Sequence, residues 1–205
     1  MATEKQALVL IDPLNDFIHP EGKLYPAVQD SLTKTNTVEN LRRLAHGARE
    51  KGIPIYYGLH QQYKEGNYDG WKHAKQNHER SKQSQAFAGW GGEILEGYEP
   101  QLSNGDVVVS RHWNSSSFRN TDLDYQLRQQ RDITHLTFAG LVTNTCVEST
   151  AREAVELGYK VTLISDATAG FSQALKEAAT DVIWPTIYVD EVLKTEEWVA
   201  HLKKV

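Results

Sequence analysis

The stretch His135-Leu-Thr-Phe-Ala-Gly-Leu-Val-Thr-Asn-Thr-Cys146-Val-Glu-Ser-Thr150 decides the reading of this 205-residue chain. Its first half, residues 136–142, is a nearly continuous apolar run, as expected of a strand buried on both faces. Its second half starts a helix. Thr145 and Glu148 have the spacing of a capping box, in which hydroxyl and carboxylate satisfy backbone N–H groups of the first turn. Cys146, the only cysteine, falls in that turn. A helix N-terminus carries unpaired N–H groups and a partial positive charge, and both favour a thiolate. Most free cysteines are small buried hydrophobes. A functional Cys146 therefore needs a base, oxyanion donors and a pocket from elsewhere in the chain.

Outward from this stretch, strands alternate with helices. Ala7-Leu-Val-Leu-Ile11 is a buried strand ending in Asp12-Pro13, and further strands are expected at 53–59, 106–110, 159–165 and 186–189. A helix carries Val38, Leu41, Leu44 and Ala45 on one face and closes at Lys51-Gly52. Others are expected at 121–130, with Thr121 as N-cap, at 145–157 with Gly158 as C-cap, and at 172–184. This alternation predicts an α/β fold with a six-stranded, mostly parallel sheet between helical layers. Such sheets bind ligands beyond the carboxyl ends of their strands. Asp12, His60, Arg111, residues 142–146 and Asp166 all fall at or just past those ends. Residues 1–205 read as one domain, interrupted at about 61–104 by a long connection rich in aromatic and histidine side chains. Tyr63, Tyr68, Trp71, His73, His78, Phe87 and Trp90 suit either a lid or a subunit contact.

Composition narrows the function classes. Charged residues make up 24% and hydrophobic residues 40%, a soluble, folded balance. The net charge of −5 argues against a nucleic-acid partner. No apolar run approaches the roughly 18 residues of a membrane span, and the polar N-terminus is not read as a signal peptide. A single cysteine excludes an internal disulfide framework and a cysteine-rich zinc site, so a cytoplasmic setting is expected.

A cysteine nucleophile needs a proton acceptor. Asp12, at the end of the first strand, is the best-placed base, because desolvation there raises a carboxylate toward a useful pKa. Asp16 offers the same chemistry four residues on, and Asp12 could instead only cap the turn before Pro13. The N–H of Cys146 is a natural oxyanion donor and the N–H of Val142 a second, with Gly140 permitting an unusual backbone nearby.

Four segments then carry a family resemblance. They are Ala7-Leu-Val-Leu-Ile-Asp-Pro-Leu-Asn-Asp-Phe17, Ser117-Phe118 with Asn120-Thr-Asp-Leu-Asp124, Gly140-Leu-Val-Thr-Asn-Thr-Cys-Val-Glu-Ser-Thr150, and Gly158-Tyr-Lys-Val-Thr-Leu-Ile-Ser-Asp-Ala-Thr168. In this order they resemble the isochorismatase-like cysteine hydrolases, a superfamily that includes nicotinamidases, carbamoyl-amide hydrolases and ureidoacrylate hydrolases. The resemblance implies a Rossmann-like three-layer fold, Cys146 as nucleophile, Asp12 rather than Asp16 as catalytic aspartate, and a cis peptide before Val142. It also implies a homodimer or homotetramer acting on a small-molecule substrate.

The chain departs from the family pattern in three places. A catalytic lysine is expected shortly before Phe118, but Val109-Ser-Arg-His-Trp-Asn-Ser-Ser-Ser-Phe118 has none. Arg111 is the nearest cation and is taken into the catalytic set; His112 is the alternative, able both to carry charge and to exchange a proton. The aspartate of the nicotinamidase metal-binding Asp-x-His is absent from Gly58-Leu-His60, so neither metal nor cofactor is expected. Leu14 replaces a usual glutamine, which points to a less polar pocket. The expected activity is metal-independent hydrolysis of a C–N bond in a small amide or ureido compound through a Cys146 acyl-enzyme. His60, His112, Trp113 and Phe118 are expected to shape the pocket. The alternatives are enol-ether hydrolysis without a covalent intermediate, as in isochorismate-cleaving members, or a small-molecule-binding protein without catalysis.

Overall fold

A computed structural model describes residues 5–187 and 189–202. In chain order the main elements are β1 (Gln6–Ile11), α1 (Asn15–Ile18), α2 (Tyr25–Thr35), α3 (Thr37–Glu50), β2 (Ile55–Gly58) and α4 (Gln76–Ser84). They continue as β3 (Val107–Val108), α5 (Leu123–Tyr125), β4 (His135–Leu141), α6 (Glu148–Glu156), β5 (Lys160–Ala169), α7 (Gln173–Glu177), β6 (Glu191–Leu193) and α8 (Thr195–Leu202). Wider π-type turns extend α5 and α7 and precede α6.

The apolar run of β1 is divided between two cores by the two-residue period of a strand. Leu8 and Leu10 face one layer, with Val28 and Leu32 of α2, Leu41 and Leu44 of α3, and Trp198 of α8. Ala7, Val9 and Ile11 face the other, with Leu123 of α5, Val147, Ala151 and Ala154 around α6, and Trp184. Every strand pair is parallel and the order is β3-β2-β1-β4-β5-β6. The direction of strand progression reverses between β1 and β4, so a crevice opens beyond their carboxyl ends. Asp12 leaves one of these strands and Cys146 follows the other. Among the described residues no helix is long and apolar enough to cross a membrane.

Several boundaries differ from the sequence reading. The last strand is Glu191–Leu193, not 186–189; Trp184–Thr186 is a 3-10 turn, and Tyr188 lies outside the described residues. Strand β5 runs on to Ala169, so Asp166 is inside it. Its carboxylate accepts the backbone N–H and hydroxyl of Thr195 at 2.7 Å each, which fixes the start of α8 rather than serving a site. The Thr145–Glu148 capping box does not form. The chain makes a π-type turn over Thr143–Val147, the hydroxyl of Thr145 donates to the Val142 carbonyl at 3.3 Å, and Glu148 binds Arg152 and the Trp184 indole. The interruption at 61–104 contains α4, which its sparse apolar pattern concealed.

Gly140 sits at φ 122°, and a Cβ there would overlap the Ile11 carbonyl of the neighbouring strand. Only glycine combines that conformation with that approach. Gly140→Ala is expected to destabilise the protein by about 3 kcal/mol or more, from backbone strain plus overpacking. Gly158→Ala, at φ 84° in open space, should cost only about 1–2 kcal/mol. Urea unfolding of the two variants measures the difference.

Candidate active site

The geometry starts from Asp12. Its side chain is fully buried and its backbone is left-handed, with φ 48°. Aspartate tolerates this region better than most residues, yet a non-glycine there marks a constrained position. The turn aims the carboxylate across the crevice. One oxygen, Oδ1, accepts the backbone N–H of His60 at 2.6 Å and lies 3.4 Å from Nε2 of His112. The other, Oδ2, is buried without a hydrogen-bond partner among the described residues.

His60 and His112 are brought to Asp12 by an isolated parallel bridge that continues the pairing past the ends of the strands. His112 N–H donates to the Leu59 carbonyl and Gln61 N–H to the His112 carbonyl, both at 2.9 Å. The two rings meet edge to face with centroids 5.3 Å apart. Each ring has its Nδ1 beside a carbonyl: His112 lies 2.8 Å from Asn114 O and His60 lies 3.0 Å from Gln61 O. A carbonyl accepts only, so both Nδ1 atoms carry hydrogen. The Nε2 of His112 then faces a carboxylate and is best occupied by a second proton.

The titration directions follow. For Asp12, burial would raise the pKa, but the charge and hydrogen bond of His112, with a smaller contribution from His60, outweigh it and leave it lowered. For His112, burial would lower the pKa, but the Asp12 carboxylate reverses this and raises it. His60 is lowered, chiefly by burial, with Asp12 opposing and the His112 charge reinforcing. These directions favour a carboxylate at Asp12, a protonated ring at His112 and a neutral ring at His60.

Cys146 completes the group. It is 9% exposed, and its sulfur, the Asp12 carboxylate and a ring nitrogen of His112 all lie within 4.8 Å of one another. Burial and then the charge of Asp12 push the thiol pKa well up, while the Thr145 hydroxyl, 3.9 Å from sulfur, and the Val142 N–H pull the other way. The sequence pattern favours a thiolate made by a helix terminus. The structure instead puts a carboxylate beside a desolvated sulfur and begins the α-helix only at Glu148, so the resting thiol keeps its proton. The peptide between Leu141 and Val142 is cis, as the resemblance implies.

Arg111 is drawn elsewhere. Its guanidinium donates to the carbonyls of His60 at 2.6 Å and Gly92 at 2.8 Å, clamping the insertion to the sheet. The cation in contact with Asp12 is His112. Asp16, the other candidate base, is also committed: its carboxylate accepts the backbone N–H groups of Lys23 at 3.0 Å and Phe87 at 2.5 Å. Phe118 does not reach the pocket. It is buried in the core against Tyr159, with ring centroids 5.9 Å apart.

A cavity of about 760 Å³ opens on Asp12 and Cys146. His60, Trp113 and Val142 line it, whereas the expected His112 is fully buried and does not. Phe17 of the first matching segment and Phe87 of the aromatic connection also line it, with Leu24, Phe171 and Leu175, which no sequence motif singled out. These come from α1, the loop before α2, the insertion and the start of α7, and only the packing of those elements reveals their shared direction. Trp113 is backed by Trp71 and Tyr68 at centroid distances of 5.5 and 6.0 Å. The Asp12, His112 and Cys146 donors are close enough to hold a soft or borderline metal ion, but such an ion would occupy the sulfur lone pair that a nucleophile needs. His78 is engaged away from them, accepting the Lys75 N–H at 2.9 Å and donating to Asn114 Oδ1 at 2.6 Å.

Comparison with known proteins gives a consistent result. The family model described as Isochorismatase domain matches residues 6–197. The chain is 32% identical to the ureidoacrylate amidohydrolase RutB of Cronobacter turicensis over 179 residues, covering 82% of this chain and 75% of that protein. It is 33% identical to RutB of Variovorax paradoxus over 174 residues, covering 79% and 68%. Among solved structures, a cysteine hydrolase from Pseudomonas syringae pv. phaseolicola superposes with TM-score 0.80 at 28% identity, covering 98% of this chain and 93% of that one. N-carbamoylsarcosine amidase from Thermoplasma acidophilum superposes with TM-score 0.67 at 26% identity, covering 94% and 97%.

The linkage between Asp12 and His112 has a defined pH window. His112 is raised, so its contribution to stability is complete below the free imidazole value of about 6.5 and is lost as pH rises through the folded value. Asp12 is lowered, so its contribution is complete above about 3.9 and is lost as pH falls through the folded value. An NMR titration of the ring protons should show His112 titrating above free histidine and His60 below it. Asp12→Asn should return His112 to or below the free value.

Proposed function

The chain belongs to the isochorismatase family, and we propose that it is a cysteine hydrolase that cleaves a C–N bond of an amide or ureido compound through an acyl-enzyme on Cys146. The observation that carries this reading is the meeting of Asp12, His112 and Cys146 at the switch point of the sheet, with Asp12 and Cys146 lining one cavity and His112 buried beside Asp12. Relatives named for ureidoacrylate and N-carbamoylsarcosine hydrolysis support the bond type.

The resting thiol is neutral, so attack and proton transfer are coupled. As sulfur bonds to the carbonyl carbon, its proton passes to Asp12 and the carbonyl electron pair moves onto oxygen. The N–H groups of Val142 and Cys146 hold that oxyanion. When the intermediate collapses, Asp12 returns the proton to the departing nitrogen and the thioester remains. Water then adds to the thioester carbonyl and gives a proton to Asp12. The second collapse releases the acid, and the proton goes back to sulfur. In both halves Asp12 alternates between base and acid.

His112 takes the place of the family lysine. Its imidazolium keeps Asp12 ionised in the resting site, and its positive charge stays beside the group as the negative charge moves from Asp12 to the substrate oxygen during attack. Arg111 acts at one remove, by holding Gly92 and His60 in place. A homodimer or homotetramer is proposed on the family resemblance alone.

Cys146→Ala is expected to abolish hydrolysis of N-carbamoyl and ureido substrates, and Asp12→Asn to lower kcat on the order of 10²–10⁴-fold. Retained turnover in the alanine variant would overturn the covalent mechanism. The histidine also gives the pH profile a signature. Activity of the native enzyme should fall as pH rises through the raised His112 pKa. His112→Lys should move that limb to higher pH while keeping turnover, whereas His112→Gln should lose turnover across the range.

A further inference from the structure

The cavity is larger and differently lined than cleavage of a bare ureido group requires. About 760 Å³ lies well inside the roughly 300–1,000 Å³ range of pockets that enclose drug-sized ligands. Its lining changes character with depth. Buried Asp12 and Cys146 form the reactive end, and buried Phe17 and Phe87 with partly exposed Leu24 and Trp113 form an apolar sleeve. Phe171 and Leu175 continue the sleeve outward at 44% and 46% exposure. Exposed large apolar side chains that border a cavity mark a surface that a ligand covers.

The outer rim is cationic. Lys75 and Arg80, at the start and middle of α4, are exposed lining residues. Among the described residues neither forms an ion pair, although Glu79 lies beside them on the same helix. Asp12 is the one acid among the described lining residues, and it is fully buried. In a chain of net charge −5, two unpaired cations beside an apolar sleeve form a local reversal of charge. The rim is also anchored, because His78 of α4 bonds Asn114, the residue after Trp113.

We propose that the substrate is an amide or ureido compound with an extended apolar body that ends in a carboxylate. The scissile carbonyl lies at Cys146, the body lies along Phe17, Phe87, Trp113 and Phe171, and the carboxylate is taken by Lys75 and Arg80. This assignment of substrate class rests on the hydrolase reading above.

The test uses three thiol alkylators and the full-length protein at one pH: iodoacetamide, N-hexyl iodoacetamide and 6-(iodoacetamido)hexanoate. In each, sulfur bonds to the methylene carbon, iodide leaves and the thiol proton is released. Labelling of Cys146 is followed by intact mass, and kinact/KI is compared. The hexyl compound should exceed iodoacetamide, and the hexanoate should exceed the hexyl compound about five- to tenfold, as expected for charge-assisted contacts. In Lys75→Gln/Arg80→Gln the ratio of hexanoate to hexyl should fall to near one. Equal rates for hexyl and parent compounds, equal or slower labelling by the hexanoate, or a ratio that survives the double substitution would each overturn the proposal. These ratios do not depend on turnover. Failure of the hydrolase reading shows separately, as retained turnover in Cys146→Ala.

Discussion

A carboxylate with no exposed surface governs the centre of this fold. An unpaired buried charge costs several kcal/mol, so the chain around Asp12 is arranged to prevent that state. The His60 N–H and the His112 imidazolium answer it directly. Each of those residues lies just beyond the end of a different strand, and each is held there by backbone pairing with the other. One charge thus fixes the relative positions of the segments leaving β1, β2 and β3. Cys146 enters from β4, and the sulfur meets a carboxylate whose orientation is already settled.

The same few residues after β1 also secure the insertion. Asn15 N–H bonds the Glu93 carbonyl, and its side chain bonds the Trp90 carbonyl. Leu95 N–H bonds the Pro13 carbonyl, and Asp16 holds the backbone of Phe87. Gly91 packs so close to the Asp16 carboxylate that a Cβ there would overlap it. Arg111 closes the arrangement from the other side at Gly92. Asp16 and Arg111, which the sequence offered as partners for Asp12 and Cys146, therefore serve to place the wall of the pocket. Their chemistry fits catalysis, but their partners are backbone groups.

Legibility in the sequence followed the physics of each feature. The buried strands were readable because a short continuous apolar run bounded by turn residues is stable only with both faces covered, and the parallel sheet followed from the alternation of such runs with helices. Asp12 and Cys146 were candidates because strand ends in such a sheet face one crevice, and the family resemblance chose Asp12 over Asp16. The choice between Arg111 and His112 was not readable, since adjacent residues leave a strand end in different directions and spacing cannot say which one turns inward. Phe118 was misplaced for a similar reason: Ser117 N–H is drawn to Thr150 Oγ1 at 3.0 Å, and the phenyl ring goes to the core. The expected capping box failed because Glu148 found Trp184 and Arg152 instead. The connection at 61–104 was readable as a possible lid, but which of its residues reach the pocket was not, because Phe17, Lys75, Arg80 and Leu175 share a cavity only after α1, α4 and α7 have packed.

The protonated state of Cys146 bears on how the protein survives between encounters with its substrate. Peroxide attacks thiolates far faster than thiols, and over-oxidation to sulfinic acid is generally irreversible. A nucleophile kept permanently ionised would be exposed to that damage at all times, and this chain has no second cysteine to rescue a sulfenic acid as an internal disulfide. Burial and the neighbouring carboxylate both raise the Cys146 pKa, and so both disfavour the thiolate that oxidants attack.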